Sequence, residues 1–432
     1  MSPDFLVAGP VIENTPASSP NHVFRLAGDA PLAPSLLDDF DVPEALLNDI
    51  ALRHVTLRGI CTIHMLSDLM KLPLEVTETI FRRFNDQQYC DVRRASGDDY
   101  VFSLSSEGRR IATERALVTR YAGPAPVSLK SWSDRVRAQV SRTIVTRERM
   151  REAFADVVVS DRLLDEMGPA LISQRAMFLY GPSGTGKTTL SERLIRVYDD
   201  AVLVPHAVEV DGQIILVADT ALHRPVEIEN SHLDRRWLPC TRPLIAAGGE
   251  LVTSMLELQR DESSGAWMAP LQMKANNGIL LIDDFGRQII SPRELLNRWI
   301  VPLDRRIDFL SLTTSKFCIP FEMLVVFSTN LEPHELADEA FLRRIPNKIL
   351  IEGVSAEAFD NIFRAAAAAA QMKSDPESAA YCRELCLRHS PDLRPCFPRD
   401  LCEAIRAITS YEGREPAITP RDLERAVEAY FI

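Results

Sequence analysis

Apolar residues recur three and four positions apart in EALLNDIALRHVTLRG, TIHMLSDLMKLP and LEVTETIFRRFN, a spacing that lines one face of a helix. Three short helices are predicted from Pro43 onward. QYCDVRRA and DYVFSLS then flank Ser96, Gly97 and Asp98, which predicts a hairpin. Farther along, MFLY, ILLI and MLVVFST are short, continuous apolar runs and read as strands buried on both faces. AVEVDGQIIL, with Asp211 and Gly212 at its centre, predicts a second hairpin. IFRAAAAAAQM is a strong helix former.

Three helices followed by a hairpin is the order of a winged-helix-like α+β domain over 43–120. Ahead of it, residues 1–42 carry Pro3, Pro10, Pro16, Pro20, Pro31 and Pro34 among scattered acids, which predicts a mobile acidic tail. After it, YAGPAPVSLKSW has two prolines and a glycine and reads as a linker within 121–144.

Composition then narrows the partners. The 432 residues are 46% hydrophobic, with 49 Lys+Arg against 61 Asp+Glu and a net charge of -12. Pervasive disorder and collagen-like structure are excluded, and nonspecific phosphate binding by the whole surface is disfavoured. No run is apolar and long enough for a membrane helix, and the start has no leader pattern, so no membrane insertion and a cytoplasmic location are expected. A winged helix suggests DNA, yet acids and bases balance between Glu44 and Arg120, and the third helix sets Glu75 and Glu78 beside Arg82 and Arg83. Protein docking is the favoured reading and nucleic acid the less favoured one. Cys382, Cys386, Cys396 and Cys402 with His389 fit no zinc spacing and are expected to be buried small hydrophobes. His206, His223 and His232 are irregularly spaced and are expected at the surface.

The chemistry is concentrated in MFLYGPSGTGKTTL. Gly181, Gly184 and Gly186 allow a tight loop of converging N–H groups between a strand and a helix beginning near Lys187. Gly181, Pro182, Ser183, Gly184, Thr185, Gly186, Lys187, Thr188 and Thr189 are the candidate ATP-binding residues, Lys187 meeting β and γ phosphates and Thr188 facing Mg²⁺. The bland alternative is a glycine-rich turn with no ligand. In NGILLIDDFGR the strand ends in Asp283 and Asp284, where ligands of parallel sheets bind. Asp283 is the second metal candidate and Asp284 the candidate for polarising the attacking water. In MLVVFSTN, Asn330 ends a third strand and is placed to orient that water.

GPSGTGKT, ILLIDD and VVFSTN in this order resemble the Walker A, Walker B and sensor 1 elements of AAA+ ATPases. ADEAFLRRIPNKILI resembles the segment with the arginine finger, implying Arg344, with Arg343 beside it. CFPRDLCEAI resembles the sensor 2 helix and implies Arg399 as a phosphate contact. The stretch from LNRW to VVFSTN, with DFLSL and KFCIPF about Thr313, Thr314 and Ser315, is similar to the pre-sensor 1 hairpin branch, which includes MoxR-like chaperone ATPases and activators of alternative sigma factors. The resemblance implies an α/β fold: an αβα P-loop NTPase core with a parallel sheet over 145–352 and a small helical lid over 353–432. It also implies ATP and Mg²⁺ as cofactors, a homo-oligomer in the form of a hexamer, and remodelling of a protein client. The rivals are a DNA-directed helicase loader or transcriptional regulator, and a weakly hydrolysing switch. The last is kept open by Asp284, where the family usually has Glu. The interval from Lys187 to Asp283 is long for the fold and leaves room for inserted structure.

Overall fold

The structure, a computed structural model, describes residues 23–96, 99–140, 144–229, 232–313 and 315–431. The first unit comprises helices α1 (Glu44–Arg58), α2 (Ile63–Met70) and α3 (Leu74–Asp86) with strands β1 (Cys61–Thr62), β2 (Cys90–Ser96) and β3 (Asp99–Leu104). The strands form an antiparallel sheet in the order β1-β3-β2. Gly97 and Asp98 of the predicted turn lie outside the described residues. Helix α1 stops at Gly59, whose φ of 76° suits a residue without a Cβ. Thr62 caps α2 by accepting from the Met65 N–H. Ile50, Val55, Leu66, Val76, Ile80 and Phe84 pack from the helices onto Phe102 and Leu104 of the sheet.

Two segments depart from the reading of the sequence. Of the tail expected over 1–42, residues 1–22 lie outside the described residues, whereas 23–42 form a packed arm. Arg25–Leu26 adds a parallel strand beside Asp200–Ala201, and Leu37, Phe40 and Val42 are buried. The prolines stop local helices, but an extended chain can still pair with a distant strand. The expected linker is likewise built in. Val127–Ser128 pairs with Val208–Glu209, and the helix Leu129–Ala138 drives Trp132 and Val136 into a core with Val202, Ile215 and Trp237.

The centre is a five-stranded parallel sheet of β4 (Met177–Tyr180), β5 (Leu244–Ala247), β6 (Ile279–Ile282), β7 (Leu324–Thr329) and β8 (Asn347–Leu350). Its order is β5-β6-β7-β4-β8. Successive side chains alternate between faces. Met177, Leu179, Ile279, Leu281 and Val326 enter one core with Phe154, Leu171 and Leu190. Phe178, Leu280, Ile282, Val325 and Phe327 enter the other with Leu295, Trp299 and Phe341. Each core is closed by helices, so the central unit is an αβα sandwich, as expected. Helix α4 (Lys187–Arg193) leaves the loop after β4. The long interval that follows holds the inserted hairpin Ala207–Val210/Gln213–Leu216, with Asp211 and Gly212 at φ 49° and 76° as its turn demands. A further hairpin, Ile307–Ser311 with Lys316–Pro320, precedes β7. Thr314 in its turn lies outside the described residues.

The C-terminal stretch folds as a four-helix unit: α5 (Ala356–Ala369), α6 (Ser378–His389), α7 (Cys396–Tyr411) and α8 (Pro420–Tyr430). Phe359, Phe363, Leu385, Leu401, Ile405 and Leu423 form a core drawn from this unit alone. Cys382, Cys386 and Cys402 are buried thiols within it, while Cys396 is half-buried. Among the described residues no helix is long and apolar enough to cross a membrane.

Candidate nucleotide-binding site

The loop between β4 and α4 has the conformations its glycines permit. Gly181, Gly184 and Gly186 sit at φ 141°, 80° and 89°, where other residues are strained. Two of them also face close neighbours. A Cβ on Gly181 would lie 2.3 Å from the Ile351 carbonyl oxygen, and one on Gly184 would lie 2.5 Å from Cys396 Sγ. Within the loop the Thr185 hydroxyl donates to the Pro182 carbonyl at 3.0 Å. Ser183 is exposed and Thr189 half-buried.

Lys187 opens α4 and is buried at 6% exposure. Its ammonium donates to the carbonyls of Gly181 at 3.0 Å and Pro182 at 2.8 Å and to Asn330 Oδ1 at 2.7 Å. Burial lowers its pKa, the carboxylates of Asp283 and Asp284 act in the opposite sense, and the charge of Arg394 lowers it further. Beside it, the Thr188 hydroxyl donates to Asp283 Oδ2 at 2.8 Å. These are hard oxygen donors of the kind Mg²⁺ takes alongside phosphate oxygens and water. Among the described residues no cluster of three or more His, Cys, Asp and Glu could hold a metal.

The two aspartates are set by the turn after β6. Asp284 adopts φ 49°, its N–H donates to Asp283 Oδ1 at 3.1 Å, and its side chain is exposed. Gln288 ties the turn together, donating to the Asp283 carbonyl at 2.7 Å and accepting from the Gly286 N–H at 2.8 Å. The Phe285 N–H donates to the Ser328 carbonyl, and the Thr329 hydroxyl to the Phe285 carbonyl, both at 2.7 Å. These bonds fix the end of β6 to the end of neighbouring β7. Asp283, Asp284 and Asn330 therefore share the carboxyl edge of the sheet with Lys187 and Thr188, the place where open parallel sheets bind ligands.

Arg399 lies on the exposed side of α7, where it pairs with Glu403 at 3.2 Å. The residues that cover the loop are Arg394, Pro395 and Cys396. Arg394 Cδ is 3.7 Å from the Cβ position of Gly184, and Pro395 Cγ is 4.0 Å from that of Gly186. The buried Arg394 Nε has no hydrogen-bond partner among the described residues, and its guanidinium stands 5.7 Å from the Phe397 ring centroid. The sequence holds only a weak signal for Arg394, its position immediately ahead of a proline and a helix start. Arg344 donates to Asp304 Oδ2 at 2.7 Å and is half-buried, whereas Arg343 is exposed at the end of the helix Glu339–Leu342.

His232 is exposed, as expected, but the other two histidines are not. His223 is fully buried, accepting at Nδ1 from the Asp219 N–H at 3.0 Å with Nε2 2.9 Å from the Lys274 carbonyl. His206 is also shielded, which lowers its pKa through burial. The well-partnered ring of His223 holds structure together.

A family model described as a domain of unknown function (DUF8689) matches residues 355–429, the span of the C-terminal helical unit. No curated protein matches the chain in sequence. Among solved structures, the RuvB Holliday junction branch migration motor of Thermotoga maritima matches over 63% of this chain and 70% of its own, at 13% identity and a TM-score of 0.37. A point mutant of the same RuvB matches over 64% and 72%, at 11% identity and a TM-score of 0.39. Values this low leave the geometry above to stand by itself.

Proposed function

We propose that this chain is an AAA+ ATPase that binds Mg-ATP between the phosphate loop and the C-terminal helical lid and hydrolyses it within a homo-oligomeric ring to remodel a protein client. The reading rests chiefly on one observation. Lys187, Asn330 and the Thr188–Asp283 pair, from three separate stretches of sequence, are joined by hydrogen bonds of 2.7–2.8 Å at one sheet edge. Lys187 would meet the β and γ phosphates, and Thr188 and Asp283 would hold Mg²⁺, which when bound neutralises phosphate charge. Asp284 would polarise the attacking water, Asn330 would orient it, and Arg394 would meet phosphate from above.

The winged-helix-like first unit would serve as an adaptor for protein. Its third helix offers little free positive charge, since Arg82 pairs with Glu78 at 3.3 Å and Arg83 with both Glu44 and Asp38. The hairpin before β7 supports placing the chain in the pre-sensor 1 hairpin branch. The exposure of Asp284 favours one second reading, a slowly hydrolysing nucleotide switch.

Phosphate release tests the core of the proposal and subunit mixing tests the ring. Arg344→Ala keeps a sound loop and Lys187→Ala keeps a sound finger, so a mixture well above either alone indicates action across a subunit boundary. A fully active Arg344→Ala protein transfers that role to the exposed Arg343 or abolishes it. An active monomer whose turnover is independent of concentration rules out the ring.

A further inference from the structure

In the first unit, the apolar face of the hairpin outruns the helix that covers it. Tyr100, Phe102 and Leu104 alternate onto one face of β3, and Val92 stands opposite Phe102 on β2. Phe81 of α3 packs on Phe102 at 4.8 Å between centroids, and Phe102 and Leu104 are 0% and 3% exposed, but Tyr100 and Val92 remain 46% and 45% exposed. A break in register between Val92 and Arg94 marks the point where the pairing is disturbed, as bulges commonly do beside a functional surface.

The uncovered end is the wall of a cleft of about 310 Å³ whose other wall is α3. Phe81 forms part of its floor, with its ring stacked on Tyr100 at 5.5 Å. The polar side of the cleft carries Glu78, Arg82, Asn85 and Asp86. Glu78 and Arg82 neutralise each other at 3.3 Å. Asp86 is exposed and has no ion-pair partner among the described residues. The cleft therefore presents apolar and aromatic surface beside one uncompensated carboxylate.

We propose that the cleft between α3 and the β2–β3 hairpin is a docking site for a protein segment that places an apolar side chain on Val92 and Tyr100 and a Lys or Arg beside Asp86. The apolar insertion covers surface that the fold leaves wet, and the cation completes the pairing that Asp86 lacks. A nucleic acid is the wrong partner, because a phosphate would meet Asp86 and an arginine already engaged by Glu78.

The test uses the full chain and a fluorescein-labelled synthetic dodecapeptide of leucine and arginine, followed by anisotropy. Val92→Asp should weaken binding about tenfold or more, as expected for a central contact. Generic attraction of a basic peptide to this acidic protein would instead grow with the added carboxylate. Asp86→Lys should weaken the arginine peptide and improve a matched peptide carrying glutamate. Both positions are exposed, and an unchanged melting temperature verifies the fold of each variant. The proposal fails if Val92→Asp leaves binding unchanged or strengthens it, if Asp86→Lys does not reverse the charge preference, or if a labelled DNA duplex binds and is lost in these same variants.

Discussion

Asn330 Oδ1 lies 2.7 Å from the ammonium of Lys187, the lysine's one side-chain acceptor beside two backbone carbonyls. All three ammonium protons are thus engaged, and the candidate water-orienting amide is held in place by the candidate phosphate-binding cation. On the proposed reading, a γ-phosphate that drew the ammonium away from Asn330 would free its carbonyl oxygen for water, and binding of triphosphate would then arm Asn330.

Lys187→Ala should therefore lower ATP affinity by roughly a hundredfold or more, since charge-assisted contacts to phosphate are lost. Asn330→Ala should leave affinity within a few-fold and lower turnover. Equilibrium binding of a fluorescent ATP analogue, set against phosphate release, separates the two, and equal loss of binding in both variants contradicts the division.

Asp284→Asn should retain Mg-ATP binding and lose hydrolysis, because the amide keeps the shape but polarises water poorly. Asp283→Asn should instead raise the Mg²⁺ concentration needed for half-maximal nucleotide binding. A swap of these phenotypes reverses the roles along the turn after β6.

Arg394→Ala should weaken ATP about tenfold, in keeping with loss of one charged contact to phosphate. Arg399→Ala, which breaks only an exposed pair with Glu403, should stay within about twofold. The opposite ranking in calorimetric titration returns the phosphate contact to Arg399.

Asp41 anchors the N-terminal arm, accepting from the Ser128 N–H at 2.9 Å and pairing with Arg236 at 3.1 Å. Burial pushes its carboxyl up, but hydrogen bonds from Ser131 and Ser128 and the Arg236 charge prevail and hold it at about 2. A pKa lowered by folding stabilises above the unfolded value near 3.8 and loses that contribution as pH falls toward 2. Asp41→Asn should cost about 2 kcal/mol at pH 7, and urea unfolding of the two proteins should converge near pH 2. A constant gap across that range removes Asp41 as the titrating anchor.

The loop, the acidic strand end and Asn330 are legible in the sequence because each compresses its chemistry into one unbroken run, flanked by apolar strands whose burial on both faces erases any alternation. Arg394 is not legible in that way. Its role depends on where α7 begins, and only when Cys396 is known to start the helix does Arg399 fall one turn inside, where Glu403 waits. The arm over 23–42 hides for another reason. Its partners, Asp200, Ala201 and Arg236, are remote in sequence, and long-range pairing leaves no local period. Trp132 shares that difficulty, since two nearby prolines announce a linker while its burial is decided by strands not yet reached.

The core shared by Phe359, Leu385, Leu401 and Leu423 closes on itself. The body that carries Arg394 therefore has a core of its own, and it meets the phosphate loop where Arg394 and Cys396 approach Gly184 and Pro395 approaches Gly186. Because the cores on both faces of the sheet are built without it, amides of α5–α8 should exchange with solvent through openings that spare β4–β8. ATP, gripped by loop and arginine together, would suppress those openings by mass action. Nucleotide would then be read first as a change in how often one end of the molecule comes loose.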